Sequence, residues 1–344
     1  MNIIGSKYFS RAPMRVSLAG GGTDLPSFIK KYDGCVVNFT INRYAYSIIE
    51  ITDNKEIELS SIDQDEKIKI SFKSNKLDKN LILHRAVYFK IRDTFCNGND
   101  FSHQLSTFSE APKGSGLGGS SALVVSMIAC YLNCLSKKIT KKKMVKLAFE
   151  IEREICNFSG GYQDYVASVY GGLNFITFSK DGNFKVTPIV LNNNNLAIFE
   201  SYINLYFTGG SRNSSDIIDN QLAAIDNNDK TCVTSLLELK RLALEVNNAL
   251  IQNEYKLLLD LLKKSSRHKN KTSSLVNNDQ TKKIININDL HNEIAIKISG
   301  AGGGGFILIF CDFQQRKILN KFFSKKEYQT LFKPKVVFGG YETW

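Results

Sequence analysis

Three stretches of this chain gather glycines, hydroxyls and single charges at spacings suited to holding phosphate. The densest is Pro112-Lys113-Gly114-Ser115-Gly116-Leu117-Gly118-Gly119-Ser120-Ser121-Ala122, which runs directly into an apolar segment, Leu123 to Leu135, with the spacing of a buried helix. A glycine-rich turn that opens a helix leaves several backbone N–H groups unpaired and aimed one way, at the positive end of the helix dipole. Such a turn is an anion site, and phosphate is the anion most often placed there. Glycine and serine at this density have poor helix propensity and lose much chain entropy on ordering, a cost that a simple turn into a core helix would not need.

Two well-known phosphate loops do not account for it. Gly114, Gly116 and Gly119 satisfy G-x-G-x-x-G, but a dinucleotide fold wants an acidic residue about 20 positions on. Here that region reads Ile139-Thr140-Lys141-Lys142-Lys143. Gly114 to Gly119 also has the opening of a Walker A loop, yet Ser120 stands where its lysine belongs.

The second stretch, Ala19-Gly20-Gly21-Gly22-Thr23-Asp24-Leu25-Pro26, is a sharp turn bearing one carboxylate. It follows an extended segment, residues 7–18, in which Pro13 marks an edge or bulge, and leads into a helix from Ser27. The third, Ser299 to Gly305, joins two apolar strands, Ile294–Ile298 and Phe306–Phe310.

The elements that must position these loops follow from periodicity. Strands are expected at Cys35–Thr40, Ala45–Thr52, Ile57–Ser61 and Phe101–Ser109, with a helix over Leu81–Phe95. A further helix runs from an N-cap at Thr140 to Cys156, with Met144, Ala148, Ile151 and Ile155 on one face. At about 3.6 residues per turn, Glu152 and Glu154 flank that face on opposite sides, so either reaches a cleft while Glu150 stays in solvent. Gly160-Gly161-Tyr162-Gln163-Asp164-Tyr165 then turns the chain, and Gly171-Gly172 leads into a strand, Leu173–Phe178. The asparagine-rich segment 181–195 is the expected boundary, dividing the chain into domains 1–190 and 191–344. Beyond it, Ala197–Phe207 reads as one or two strands ending in Thr208-Gly209-Gly210-Ser211-Arg212, helices fill 215–262, and 263–283 is polar and partly loop.

Bulk properties narrow the function classes. At 344 residues, 43% hydrophobic and 23% charged, the chain suits two ordinary soluble domains. Seven scattered cysteines without a C-x-x-C spacing point to a reducing cytoplasm rather than a disulfide framework. No signal-peptide core or membrane-length apolar run is present. A net charge of +12 admits nucleic acid, acidic membranes or phosphorylated small molecules. No zinc spacing, RNA-recognition motif or arginine-rich arm accompanies it, so nucleic acid and membrane are not expected partners, and a homodimer is admitted.

In this order the three loops resemble the motifs of the GHMP kinase superfamily, which phosphorylates small alcohols and sugars with ATP. Its first motif is similar to Ala12-Pro13-Met14-Arg15-Val16-Ser17-Leu18 followed by Gly20 to Asp24, its second to Pro112–Ala122, and its third to Lys297-Ile298-Ser299-Gly300-Ala301-Gly302-Gly303-Gly304-Gly305-Phe306. The resemblance implies an α+β fold of two domains, the first like the second domain of ribosomal protein S5 and the second ferredoxin-like, with the active site in the cleft between them. It implies ATP and Mg²⁺ as cofactors, with Pro112, Gly114, Ser115, Gly116, Leu117, Gly118, Gly119, Ser120 and Ser121 around the nucleotide. The metal falls to Ser120 or Ser121 with Glu152, and Glu154 is the rival carboxylate. Asp164 maps to the base and Arg15 to its basic partner, while Gly22, Thr23, Asp24, Gly161, Gly302 and Gly303 face the acceptor.

Galactokinases carry a Glu-His pair where this chain has Gly21-Gly22, which argues against galactose. Residues 15–24, with 160–164 and the closing glycines, are most similar to kinases of D-glycero-D-manno-heptose 7-phosphate, and fucokinase-like enzymes share the pattern. The heptose reaction makes a 1,7-bisphosphate on the way to nucleotide-activated heptose for surface polysaccharide. An acceptor that already carries phosphate suits the basic balance, and Arg212, Lys271 and Lys297 are equal candidates for that contact. A regulator that binds sugar and ATP without turnover is the competing class, and Arg15, Glu152 and Asp164 argue against it.

Overall fold

The computed structural model describes residues 3–208, 214–276, 278–286, 288, 291–315, 317–319 and 329–344. Strand β1 (Lys7–Ala19) lies antiparallel to β2 (Gly34–Ile51), with helix α1 (Pro26–Tyr32) between them. The register slips between Pro13 and Met14, where proline brings no N–H to the ladder and a bulge forms. Cys35–Thr40 and Ala45–Ile51 are parts of this single long strand, which runs through the bulge opposite Pro13 and Met14, at Asn42 and Arg43, without ending.

Hairpin strands β3 (Glu56–Ser61) and β4 (Glu66–Ser71) follow, then α2 (Ile82–Phe95) and β5 (His103–Ser109). Helix α3 (Gly119–Cys134) is apolar on nearly every face because it is covered nearly all round. It lies across β1 and β2 beneath α2 and later helices. Helix α4 (Lys141–Phe149) starts at Thr140, whose hydroxyl accepts from Lys143 N, and widens into a π-helical turn, Glu150–Ile155. Helix α5 (Gln163–Tyr170), β6 (Leu173–Phe178) and β7 (Phe184–Pro188) close this half. The first sheet runs β12-β1-β2-β5-β3-β4, with β6 bridging β2 and β7; within it β3 and β5 are parallel.

The asparagine run does not end as loop. Asn192 caps α6 (Asn193–Tyr202) by accepting from Asn195 N at 2.8 Å, so the expected strand is a helix up to Tyr202. Only β8 (Ile203–Phe207) is extended. Three helices come next: α7 (Ser214–Asp226), α8 (Lys230–Gln252) and α9 (Tyr255–Lys269). Helices α8 and α9 form an antiparallel pair turned at Asn253, which is left-handed. Helix α9 persists through the polar stretch to Lys269, and α10 (Asp279–Ile285) follows behind an Asn278–Thr281 capping box, so 263–283 is helix at both ends and loop between them, in keeping with a segment expected to be partly loop. Strands β9 (Ile294–Ile298), β10 (Phe306–Cys311) and β11 (Gln329–Phe332) join β8 in a second, antiparallel sheet of order β11-β8-β10-β9. The short β12 (Glu342–Thr343) returns to pair with β1.

Candidate active site

The 112–121 loop enters α3 through Gly118, whose φ is +73°. Gly114 and Gly116 are also left-handed, at +75° and +76°. No side chain caps the helix and no acidic residue sits in its first turn, so its leading N–H groups stay available to an anion. The loop is held from below by the third glycine loop. Phe306 N donates to Ser115 O at 2.8 Å, and Ser299 Oγ donates to Gly116 O at 3.1 Å. A Cβ on Gly116 would fall 2.4 Å from Ser299 O, and one on Gly305 would fall 2.6 Å from Ser115 O. Glycine is required there because two backbones touch.

Arg15, on β1, reaches the loop from the sheet. Its Nη1 donates to Gly116 O at 2.7 Å, while Nε and Nη2 both approach Asp164 Oδ1, at 2.7 and 2.6 Å. The carboxylate of Asp164, in the first turn of α5, lies against Gly118. Asp24 turns inward beside it. Oδ1 accepts from Gly22 N (3.0 Å) and Gln163 Nε2 (3.1 Å), and Oδ2 accepts from Gln163 N (3.1 Å). Burial raises its pKa, and the charge of Asp164 raises it further. Gly161 must be glycine because a Cβ there would fall 2.1 Å from Asp24 Oδ2.

The π-helical turn sets the two glutamates in different surroundings. Cys156 N bonds to Ile151 O, five residues back, and this wider turn rotates Ile155 out of the expected apolar face. Glu154 is exposed, whereas Glu152 is 1% exposed. Ser121 Oγ (2.9 Å) and Tyr165 OH (2.7 Å) both donate to Glu152 Oε2, while Oε1 is buried without a hydrogen bond, 3.3 Å from Arg153 Nη1. Arg153 had no signal in the sequence beyond its charge. Its Nη1 also donates to the carbonyls of Phe158 and Ser159, and Gly160 leaves room for its guanidinium.

These groups line one cavity of about 700 Å³, within the range of small-molecule sites. Its walls include Arg15, Gly22, Asp24, Pro112, Gly114, Ser115, Gly116, Gly118, Gly119, Ser120, Glu152, Gly161 and Asp164. Leu117 and Ser121 lie beneath the loop, buried; Leu117 O accepts from Arg15 N. Thr23 is fully buried and turned to β2, donating to Cys35 O at 2.8 Å and accepting from Cys35 N at 3.1 Å. Gly302 and Gly303 lie off the wall against another segment: Gly303 N donates to Val276 O and Gly303 O accepts from Asn278 Nδ2. Of the three basic candidates, Lys297 lines the cavity, Lys271 is exposed away from it, and Arg212 is outside the described residues. Lys269, at the end of α9, is a wall residue that sequence reasoning missed. Burial pushes Lys269 down to about 8; burial, then the charges of Lys269 and Arg15, push Lys297 down to about 7.

Residues 80–172 match the model of the GHMP kinase N-terminal domain. The chain is 32% identical over 323 residues to the D-glycero-alpha-D-manno-heptose 7-phosphate kinase of Campylobacter jejuni, spanning 92% of this chain and 93% of that protein. The chain belongs to the GHMP kinases. Among solved structures, this GHMP kinase superposes with a TM-score of 0.80 on a D-glycero-D-manno-heptose 1-phosphate kinase from Bacteroides thetaiotaomicron, at 25% identity and over 98% of each chain. A Campylobacter jejuni protein described as a sugar kinase gives 0.79 at 30% identity, over 100% of this chain and 99% of that one. A GHMP kinase is a phosphotransferase with an alcohol group as acceptor and ATP as donor, and its α+β fold of two domains is the one seen here. Among the described residues no helix is long and apolar enough to cross a membrane.

Proposed function

We propose that this GHMP kinase moves the γ-phosphoryl group of ATP onto the anomeric hydroxyl of D-glycero-D-manno-heptose 7-phosphate, giving the 1,7-bisphosphate that leads to nucleotide-activated heptose for surface polysaccharide. One observation carries the catalytic part: Arg15 grips a single oxygen of Asp164 and leaves the other against Gly118, where the phosphate loop enters its helix. Asp164 Oδ2 accepts the proton of the acceptor hydroxyl, whose oxygen bonds to the γ-phosphorus as the β–γ bridge bond breaks and ADP leaves. Arg15 orients that carboxylate and balances charge near the transferring group. Asp24, rigidly bonded on both oxygens to Gly22 and Gln163, faces the acceptor. The heptose acceptor itself is supported by the likeness to the two heptose-phosphate kinases, whose names place a phosphate on the acceptor.

Magnesium fits the residues present. Glu152 Oε1 is a buried carboxylate oxygen without a hydrogen bond, and the hydroxyls of Ser120 and Ser121 stand at the adjoining helix start. Among the described residues no three His, Cys, Asp or Glu side chains gather into a cage, as suits an ion that keeps most of its shell in water and phosphate. Glu152 with Ser120 or Ser121 would hold it, and when bound it supplies charge neutralisation on the triphosphate. The same reading divides the chain near residue 190 into an ATP-binding part and a second part. The strands of the second sheet all follow that point, while β12 crosses back. Seven free cysteines suit the reducing cytoplasm in which ATP is abundant.

ATP consumption measured over heptose 7-phosphate, fucose, galactose and mevalonate tests the acceptor. Heptose 7-phosphate is expected to lead by at least about 100-fold in kcat/KM. A clear preference for an unphosphorylated sugar overturns the acceptor and leaves the kinase standing.

A further inference from the structure

At the part of the cavity walled by β1, α5, α9 and β9, three buried polar atoms have no hydrogen-bond partner: Ser17 Oγ, Gln163 Oε1 and Ser265 Oγ. Buried polar groups are ordinarily paired, so three orphans on one cavity wall point to a ligand that completes them. Two ammonium groups share this wall. Lys297 Nζ donates to Ser17 O at 3.1 Å, and Lys269 Nζ lies 3.6 Å from where a Gly22 Cβ would stand. Ser265 and Lys269 are four apart on α9 and share its inner face. Both lysines are almost fully buried, at 6% and 5% exposure.

The charges on this wall do not close. Arg15 is taken by Asp164, and Arg153 by Glu152. Asp24 is the acidic group felt by Lys269, and both of its oxygens are occupied by Gly22 and Gln163. Lys269 therefore has for counter-charge a carboxylate that is already hydrogen-bonded, while Lys297 holds the neutral carbonyl of Ser17 and feels the positive charges of Lys269 and Arg15. Burying such cations without a counter-charge is costly, and an anion in the cavity is what offsets it.

We infer that Lys269 and Lys297, with the hydroxyls of Ser17 and Ser265, form a second anion subsite that takes a phosphate monoester on the acceptor. The inference rests on the reading of a phosphorylated sugar as acceptor and names the groups that select it. A dianionic phosphate matches two ammonium groups, and its oxygens accept from the two serine hydroxyls. The left-over Gln163 Oε1 accepts from a hydroxyl of the same sugar. The 114–121 loop, whose Gly116 O is held by Arg15, keeps the nucleotide phosphates.

Steady-state kinetics of the whole enzyme with heptose 7-phosphate and with the unphosphorylated heptose tests this, using Lys269→Met and Lys297→Met. Each variant is expected to raise KM for the phosphorylated acceptor at least about 30-fold, leave KM for ATP within about 3-fold, and erase the discrimination between the two acceptors. Thermal melting and nucleotide titration show that the variants remain folded. Rescue of discrimination in Lys297→Arg supports the charge role. The subsite is overturned if the variants raise KM for ATP while acceptor discrimination persists, since the lysines then serve the nucleotide. It is also overturned if wild type takes both acceptors with equal KM. Preference for a different sugar phosphate, lost in both variants, keeps the subsite and overturns only the heptose.

Discussion

Arg15 and Asp164, 149 positions apart, meet through two guanidinium nitrogens on one carboxylate oxygen, and the third nitrogen holds Gly116 O of the phosphate loop. A single side chain thus ties the proposed base to the loop proposed to cradle the nucleotide. Replacing Asp164 with Asn keeps the shape and removes the proposed proton acceptor. The expected loss in kcat is roughly 10²–10⁴-fold, with nucleotide affinity nearly unchanged. Full turnover in that variant would remove Asp164 from the base role.

The π-helical turn predicts opposite fates for two neighbouring carboxylates. Glu152→Gln removes charge from a buried group bonded to Ser121 and Tyr165, and the magnesium concentration needed for half-maximal rate is expected to rise at least about 10-fold. Glu154→Gln alters an exposed side chain and leaves that requirement as it was. Equal responses in a magnesium titration of the two variants contradict the assignment.

Gly116 joins two backbones at left-handed φ. Alanine there costs about 1–2 kcal/mol for its conformation alone, and its Cβ pushes Ser299 away. The variant is expected to melt several degrees lower and bind ATP more weakly, because the loop shifts off its support. Wild-type melting and affinity would show that the contact between the loops carries no weight.

His103 supplies a pH dependence of stability. Its Nε2 lies 2.8 Å from Tyr131 OH and its Nδ1 2.9 Å from Phe101 O, and burial lowers its pKa to about 4. His84, bonded to Thr107 Oγ1, is lowered to about 4 by burial as well. Between the ordinary histidine value of about 6.5 and that depressed value, the unfolded chain binds protons that the folded chain refuses. Stability is therefore complete above that ordinary value and falls as pH drops toward 4. Urea unfolding at stepped pH is expected to show this slope, reduced in His103→Gln. An unchanged slope in that variant rules His103 out as a source.

Local rules carried far along this chain. Thr140 as an N-cap, the bulge at Pro13, the turn at Gly20 to Asp24 and the glycine loop before α3 were legible because each is set by residues within one turn of chain. The order of three such loops was enough to suggest a GHMP kinase, and the comparisons place the chain in that family. The helix at Asn193–Tyr202 was not legible, since asparagine signals both loop and cap and only the continuation decides.

What the amino-acid order determined by itself was the set of candidate phosphate loops and the candidate charges, because glycine spacing and helix starts are local properties. The choice of Glu152 over Glu154 on the cavity wall was made by the tertiary structure, through a π-helical turn that no 3.6-residue wheel contains. Tertiary structure alone also brought Lys269 of α9 and Lys297 of β9 to the wall where Asp24 sits. A buried ammonium and a solvated one have the same letter in sequence, and only packing decides which of them water can reach.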